Sequence, residues 1–202
     1  MKCDMNALID RVKNRIVDQA RLAAQDLHRR LGGLANDERG VSAVEFAMLL
    51  PLMLTLYLGA VEVSQAIGAD RKVTLTARSV ADLVSQVSSI NNAGMTNSLN
   101  AASTVMAPFS TANLKVVVSS VTVDAQGKAT IAWSDTLNGA AHAKGSTVAL
   151  PAALAVPNST LIWSEVQYSY TPVIGYVMTG SVTLKDQIYM RPRLSDSVAR
   201  TS

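Results

Sequence analysis

The chain has 202 residues, 49% of them hydrophobic and 4% aromatic, with a net charge of +3. That is enough apolar material for one ordinary domain plus an appendage, while so few aromatics and so little charge supply neither a stacking platform nor a basic field for nucleic acid. The single cysteine, Cys3, excludes a disulfide within the chain, so an exported domain would stand on packing alone.

Residues 1–40 are charged and amphipathic, with eight basic side chains against six acidic ones. Val41 to Val61 then runs for 21 residues with Glu45 as its one charged side chain. At about 1.5 Å per residue such a helix covers roughly 31 Å, the thickness of a bilayer core. The charged stretch ahead of it, with no early small-residue cleavage site, argues against a cleavable secretory leader. His28, Arg29, Arg30 and Arg39 flank the span upstream, whereas Arg71 and Lys72 are farther off and partly offset by Glu62 and Asp70. The N-terminus is therefore predicted to be cytoplasmic and the C-terminal bulk exported. Pro51, mid-span, predicts a tolerated kink.

Beyond the span, Val73, Ala77, Val80, Val84 and Val87 recur at spacings of four and three, which predicts an apolar helical stripe to about Ile90. It is either a continuation of the first helix or a second segment, with Gly68 as the weak point between them. "NNAG" at Asn91 to Gly94 reads as a stop and turn, and Thr96 to Ala107 as a short helix ended by Pro108. The period then changes to alternation. Leu114 to Val123, and Ala129, Ile131 and Trp133 after the turn "DAQG", predict a hairpin. Asn138 to Asn158, punctuated by Pro151 and Pro157, reads as a long loop with one helical turn at "PAALAV", of the kind that often faces a partner. Two more strands follow, one with Ile162, Val166, Tyr168 and Tyr170 on a shared face and one with Val182, Leu184, Ile188 and Met190. An apolar loop "TPVIGYVMTG" joins them, and "RPR" at Arg191 to Arg193 closes the domain before a polar tail. The fold class this predicts is α+β: a helical spine, a short second helix and an antiparallel sheet of about four strands.

Catalytic constellations are missing from this pattern. No metal-ligand spacing, phosphate-cradling loop or nucleophile elbow appears, so neither metal nor cofactor is expected and the protein is not predicted to be an enzyme. His142 lies alone in a Gly/Ala-rich loop and is expected to be solvated. Asp124, Asp135, Glu165 and Asp186 are scattered over strands and turns, where charges ordinarily face water; Glu165, in "WSEVQYSY", has the most apolar neighbours.

The remaining feature is Glu45 itself. A carboxylate at a membrane helix centre costs on the order of 2.5–3.5 kcal/mol, and less near the edge, where Glu45 lies. "SAVE", Ser42 to Glu45, has capping-box spacing, and a cap would set a negative charge at the positive end of the helix dipole. Capping does not account for Gly40, which follows Arg39 and precedes Glu45 and Phe46 by five and six residues.

Gly, four small or apolar residues, Glu and an aromatic at the mouth of an apolar helix resembles the processing site of type IV prepilins. The run "GVSAVEFAMLLPLML" is similar to the TadE-like pseudopilins of tight-adherence (Tad, type IVc) pilus systems, and "EVQYSYTPVIG" and "MRPR" resemble the C-terminal strand pair of TadE- and TadG-like proteins. The resemblance implies a pilin-like subunit, cut by a membrane-embedded prepilin peptidase between Gly40 and Val41. It also implies that Glu45, with Phe46 beside it, pairs with the N-terminal amine of a neighbouring subunit and so sets register. The partners implied are that peptidase, other pilins and pseudopilins, Tad inner-membrane assembly proteins and membrane lipid, in a bacterial inner membrane crossed once. The boundaries are then a cytoplasmic leader over 1–40, a transmembrane helix over 41–67 and an exported domain over 68–202, helical over 68–107 with its sheet over 114–193. A leader longer than most of the family's, and Phe46 where major pilins usually have Tyr, argue against a major pilin. Two other readings stay open: an uncleaved TadG-like protein with one membrane pass, and a membrane-anchored periplasmic ligand-binding or enzymatic domain.

Overall fold

The computed structural model of the chain describes residues 15, 19, 21, 22, 24–26 and 38–202; the expectations for Cys3 and for His28 to Arg30 lie outside these. The architecture is α+β, with a long helix, a short helix and an antiparallel sheet. Helix α1 runs unbroken over Glu38–Ser85, with Pro51 inside it. Of the two readings for Gly68, the continuous one holds. Its Cβ position meets only Phe109 Cζ, at 3.8 Å, and the burial of Ala69 and Val73 beside it offsets the roughly 1 kcal/mol that a helical glycine costs.

Two compact units divide the chain, residues 1–55 and 56–202. In the first, the described part of α1 carries an exposed apolar surface that includes Val41, Phe46, Leu49 and Leu52. The second contains the packed domain. There Val73, Ala77, Val80 and Val84 are fully buried, as the four-and-three spacing predicts, and Ala69 one turn earlier joins them, while Val87, the last of the predicted stripe, lies beyond the helix and is half-buried.

α1 ends at Ser85 rather than near Ile90, because Ser89–Ile90 becomes strand β1. "NNAG" is a helix start and not a turn: Asn91 is extended and its side chain accepts from Gly94 N–H at 2.8 Å, capping α2 over Asn92–Val105. Met95, Leu99 and Ala102 bury its inner face.

Strands β2 (Leu114–Val123), β3 (Ala129–Leu137), β4 (Thr147–Val148), β5 (Ser159–Tyr170) and β6 (Val182–Met190) form one sheet in the order β4-β3-β2-β5-β6. All its pairings are antiparallel. The β2–β3 turn is built as predicted. Asp124 Oδ1 accepts from the Gln126 and Lys128 amides at 3.0 and 2.8 Å, and Gly127 takes the positive φ of +79° that the turn requires.

One expectation fails within β3. Alternation puts Ala129, Ile131 and Trp133 on one face, but the register of β3 on β2 slips between Ser120 and Val121, so Ile131 pairs Val121 while Trp133 pairs Ser120. The extra residue, Ala132, reverses the faces beyond it, as a bulge does. Ile131 packs on the outer face with Val121, Val123 and Leu161. Trp133 packs instead on the core that α1 and α2 cover.

The segment after Arg193 is not a tail. Val198 is buried, and β7 (Ala199–Arg200) pairs in parallel with β1. Trp133 Nε1–H donates to Val198 O at 2.8 Å, and Arg200 reaches Asp135 Oδ2 at 2.9 Å through Nε and Asn92 Oδ1 at 2.6 Å through Nη2.

Candidate functional site

At the front of α1 the structure places Gly40, Val41, Glu45 and Phe46 on consecutive helical turns. All four are exposed, and a Cβ at Gly40 would have nothing within 4 Å. The capping-box reading of Ser42 and Glu45 does not hold, because the helix already runs from Glu38 and both residues lie inside it. A cap belongs to the residue before the first helical turn, whereas Ser42 is followed and preceded by helical backbone. Val41 and Glu45 are four apart and share a face of α1.

A second carboxylate on the same helix has a role that the sequence does not announce. Glu62 is 2% exposed. Its Oε1 accepts from Tyr176 N–H at 2.7 Å, and its Oε2 from Val177 and Met178 N–H at 3.1 and 2.7 Å. Three successive amides can converge because Gly175 takes a φ of +65°, which turns the chain into an anion-holding nest. The loop then lies against the helix, and a Cβ added at Gly59 would sit 3.3 Å from Val177 Cγ2. Backbone donors leave no side-chain signal, and the pair is 114 residues apart. The visible clue is a stretch from Thr171 to Leu184 without a charge and with two glycines.

The third cluster lies on the sheet face turned away from α1 and α2. Strand register sets it out in rows: Lys115, Gln167 and Lys185; then Val117, Glu165 and Gln187; then Ser119, Trp163 and Tyr189. Beyond these rows Val148, Leu150 and Leu154 of the long connection cover Val121 and Leu161, so much of that connection folds back on its own sheet.

His142, expected to be solvated, comes from this connection. Its N–H donates to Ser134 Oγ at 3.1 Å, and that oxygen also accepts from Ser119 Oγ–H at 2.9 Å. Its ring stacks on Trp163 with centroids 4.8 Å apart, and Trp163 stacks on Tyr189 at 5.7 Å. Nε2 lies 2.5 Å from Glu165 Oε2. Glu165 is thus a partner of the only histidine after residue 40, not simply a strand charge facing water. Burial, and after it the charge of Glu165, raises the Tyr189 hydroxyl above the ordinary phenol range. Lys115, Val117, His142, Glu165, Gln167 and Lys185 border an open cleft of about 760 Å³. With both signs of charge and amide side chains, this surface can hold a polar partner; the stack and Ser134 fix His142 as its rim. Among the described residues no three His, Cys, Asp or Glu side chains gather as metal ligands would.

Residues 40–82 match the family model described as TadE-like protein. Over this stretch the chain is similar to TadE-like proteins. The match opens at Gly40 and takes in Glu45, Phe46 and Glu62. That helix is also the one long and apolar enough, among the described residues, to cross a membrane. Comparisons with curated proteins and with solved structures give no match.

Proposed function

We propose that this chain is a minor pseudopilin, or a membrane-anchored assembly component, of a Tad (type IVc) pilus, processed by a prepilin peptidase between Gly40 and Val41. The observation that carries this is the TadE-like match opening at Gly40, on an apolar helix whose one charge between Gly40 and Glu62 is Glu45. Among the described residues nothing lies within 4 Å of where a Gly40 Cβ would sit, and the glycine weakens the helix locally by about 1 kcal/mol relative to alanine, so the turn a peptidase must unwind is an inexpensive one. Cleavage there frees the Val41 amine. A protonated amine meeting Glu45 of a neighbouring subunit in a low-dielectric bundle would fix axial register, since either charge left unpaired there is costly. The α1 helix then serves as the shared spine, the leader stays cytoplasmic, and the domain that follows is exported for contacts with other pilus subunits, in the service of adherence.

Co-expression with a cognate prepilin peptidase, followed by intact mass measurement, tests the reading. The expected product begins at Val41, and Gly40→Ala should leave the chain at full length. An unshortened wild-type chain refutes processing and favours the uncleaved TadG-like reading, in which the leader is kept as an anchor.

A further inference from the structure

The loop between β5 and β6 shows its apolar side chains to solvent: Val173 is 85% exposed and Tyr176 62%, with Ile174 and Val177 about half exposed. Small domains ordinarily do not leave such a cluster open unless something covers it. Nothing from Thr171 to Leu184 carries a charge. The loop is also held in place, because the Tyr176, Val177 and Met178 amides are bound by Glu62 and Val177 rests on Gly59.

Its position along α1 identifies the covering medium. A bilayer core of about 30 Å takes up about 20 helical residues, so a span that opens at Val41 closes near Val61. The loop grips the helix at residues 59 and 62, at that closing edge. On either side of this grip Leu56, Tyr57, Val63 and Ile67 are exposed on α1, which makes the loop continuous with the lipid-facing surface of the helix. A carboxylate at this depth is tolerated only with its oxygens satisfied, and backbone amides entering the interface likewise need partners. Glu62 and the loop meet both requirements with the same three bonds. Tyr57 and Tyr176 supply amphipathic rings of the kind that settle at headgroup level.

We propose that the Val173–Val177 tip is a second membrane contact, embedded in the outer interface of the same bilayer that α1 crosses, with Glu62 as the clamp that presents it. The β5–β6 end of the domain is thereby held at the membrane surface. This rests on the span and not on cleavage at Gly40.

The test uses the full chain in a Cys3→Ser background, with single cysteines introduced by Val173→Cys, Leu52→Cys and Asp124→Cys. Each is labelled with an environment-sensitive nitrobenzoxadiazole probe and reconstituted in phosphatidylethanolamine/phosphatidylglycerol vesicles. The probe at 173 should be blue-shifted, shielded from aqueous iodide, and quenched more by nitroxide lipids labelled near the headgroup than by those labelled deep in the chain. At 52, deep quenching should dominate; at 124, on the β2–β3 turn, iodide alone should quench. Lipid quenching at 52 with iodide quenching at 173 equal to that at 124 overturns the contact while leaving the span intact. Loss of lipid quenching at both 52 and 173 removes span and contact together. Shielding at 173 that appears only as the protein-to-lipid ratio rises assigns the patch to a second copy of the chain and also overturns the proposal.

Discussion

Ile162→Ala probes the packing of the sheet against its helices most directly. Ile162 sits on β5, which pairs with β2 on one side and β6 on the other. It is fully buried in the core shared with Val73, Val80 and Val84 of α1. Truncation removes three carbons, worth about 0.8 kcal/mol each in transfer free energy. A void of about 75 Å³ that the flanking β-ladders cannot close adds about 24 cal/mol per Å³. Together these predict a loss of about 4 kcal/mol. Equilibrium urea unfolding of the full chain in detergent micelles, followed by near-UV circular dichroism, reads this loss, because Trp133 and Trp163 lie on opposite faces of the sheet. Thr122→Ala, at an exposed position of β2, is the reference and should stay within about 0.5 kcal/mol of wild type. A loss below about 1 kcal/mol for Ile162→Ala, or one no larger than that of Thr122→Ala, would refute the assignment of this face to the helix-covered core.

Other substitutions test separate parts of the molecule. Glu62→Ala should raise hydrogen–deuterium exchange at the Tyr176, Val177 and Met178 amides while leaving β5 protected; unchanged exchange there would mean that the carboxylate does not hold the loop. Glu45→Ala should insert into the membrane normally yet no longer be recovered with pilus subunits, and undiminished recovery would deny it a register role. Asn91→Ala should cost about 1 kcal/mol by removing the N-cap of α2, visible in the same urea titration. His142→Ala should alter the near-UV signal of Trp163 by deleting one ring of its stack, with a transition midpoint still well above that of Ile162→Ala.

What could be read in advance divides along physical lines. The buried stripe of α1, the β2–β3 hairpin and the inward face of β5 rest on periodicity, which depends on near neighbours and is carried by side-chain type. The bulge at Ala132 breaks a period within the sequence that encodes it, so Trp133 was expected on the wrong face. Asn91 and Gly94 are residue types shared by turns and helix starts, and only the pairing of Ile90 with Arg200 decides that the chain has already left α1. The contact of His142 with Glu165, and the clasp of Glu62, depend on long connections folding back; neither spacing nor residue type encodes that return. At the front of α1 the sequence motif marks Gly40 and Glu45 as a group, and the helix adds that they lie on successive open turns, while the capping spacing of Ser42 proved coincidental.

The parallel β1–β7 pair determines how the domain bears a mechanical load. A load between the C-terminal end of α1 and residues 193–201 acts at residues 85–90, where Ser85 O accepts from Arg193 N–H, Ser88 O from Ala199 N–H and Ile90 O from Thr201 N–H, all between 2.9 and 3.0 Å. These bonds tie the exit of the helix to the far end of the chain, so tension shears several of them at once instead of peeling the sheet from an edge strand. The exit of α1 and the segment 193–201 thus form a single hydrogen-bonded joint.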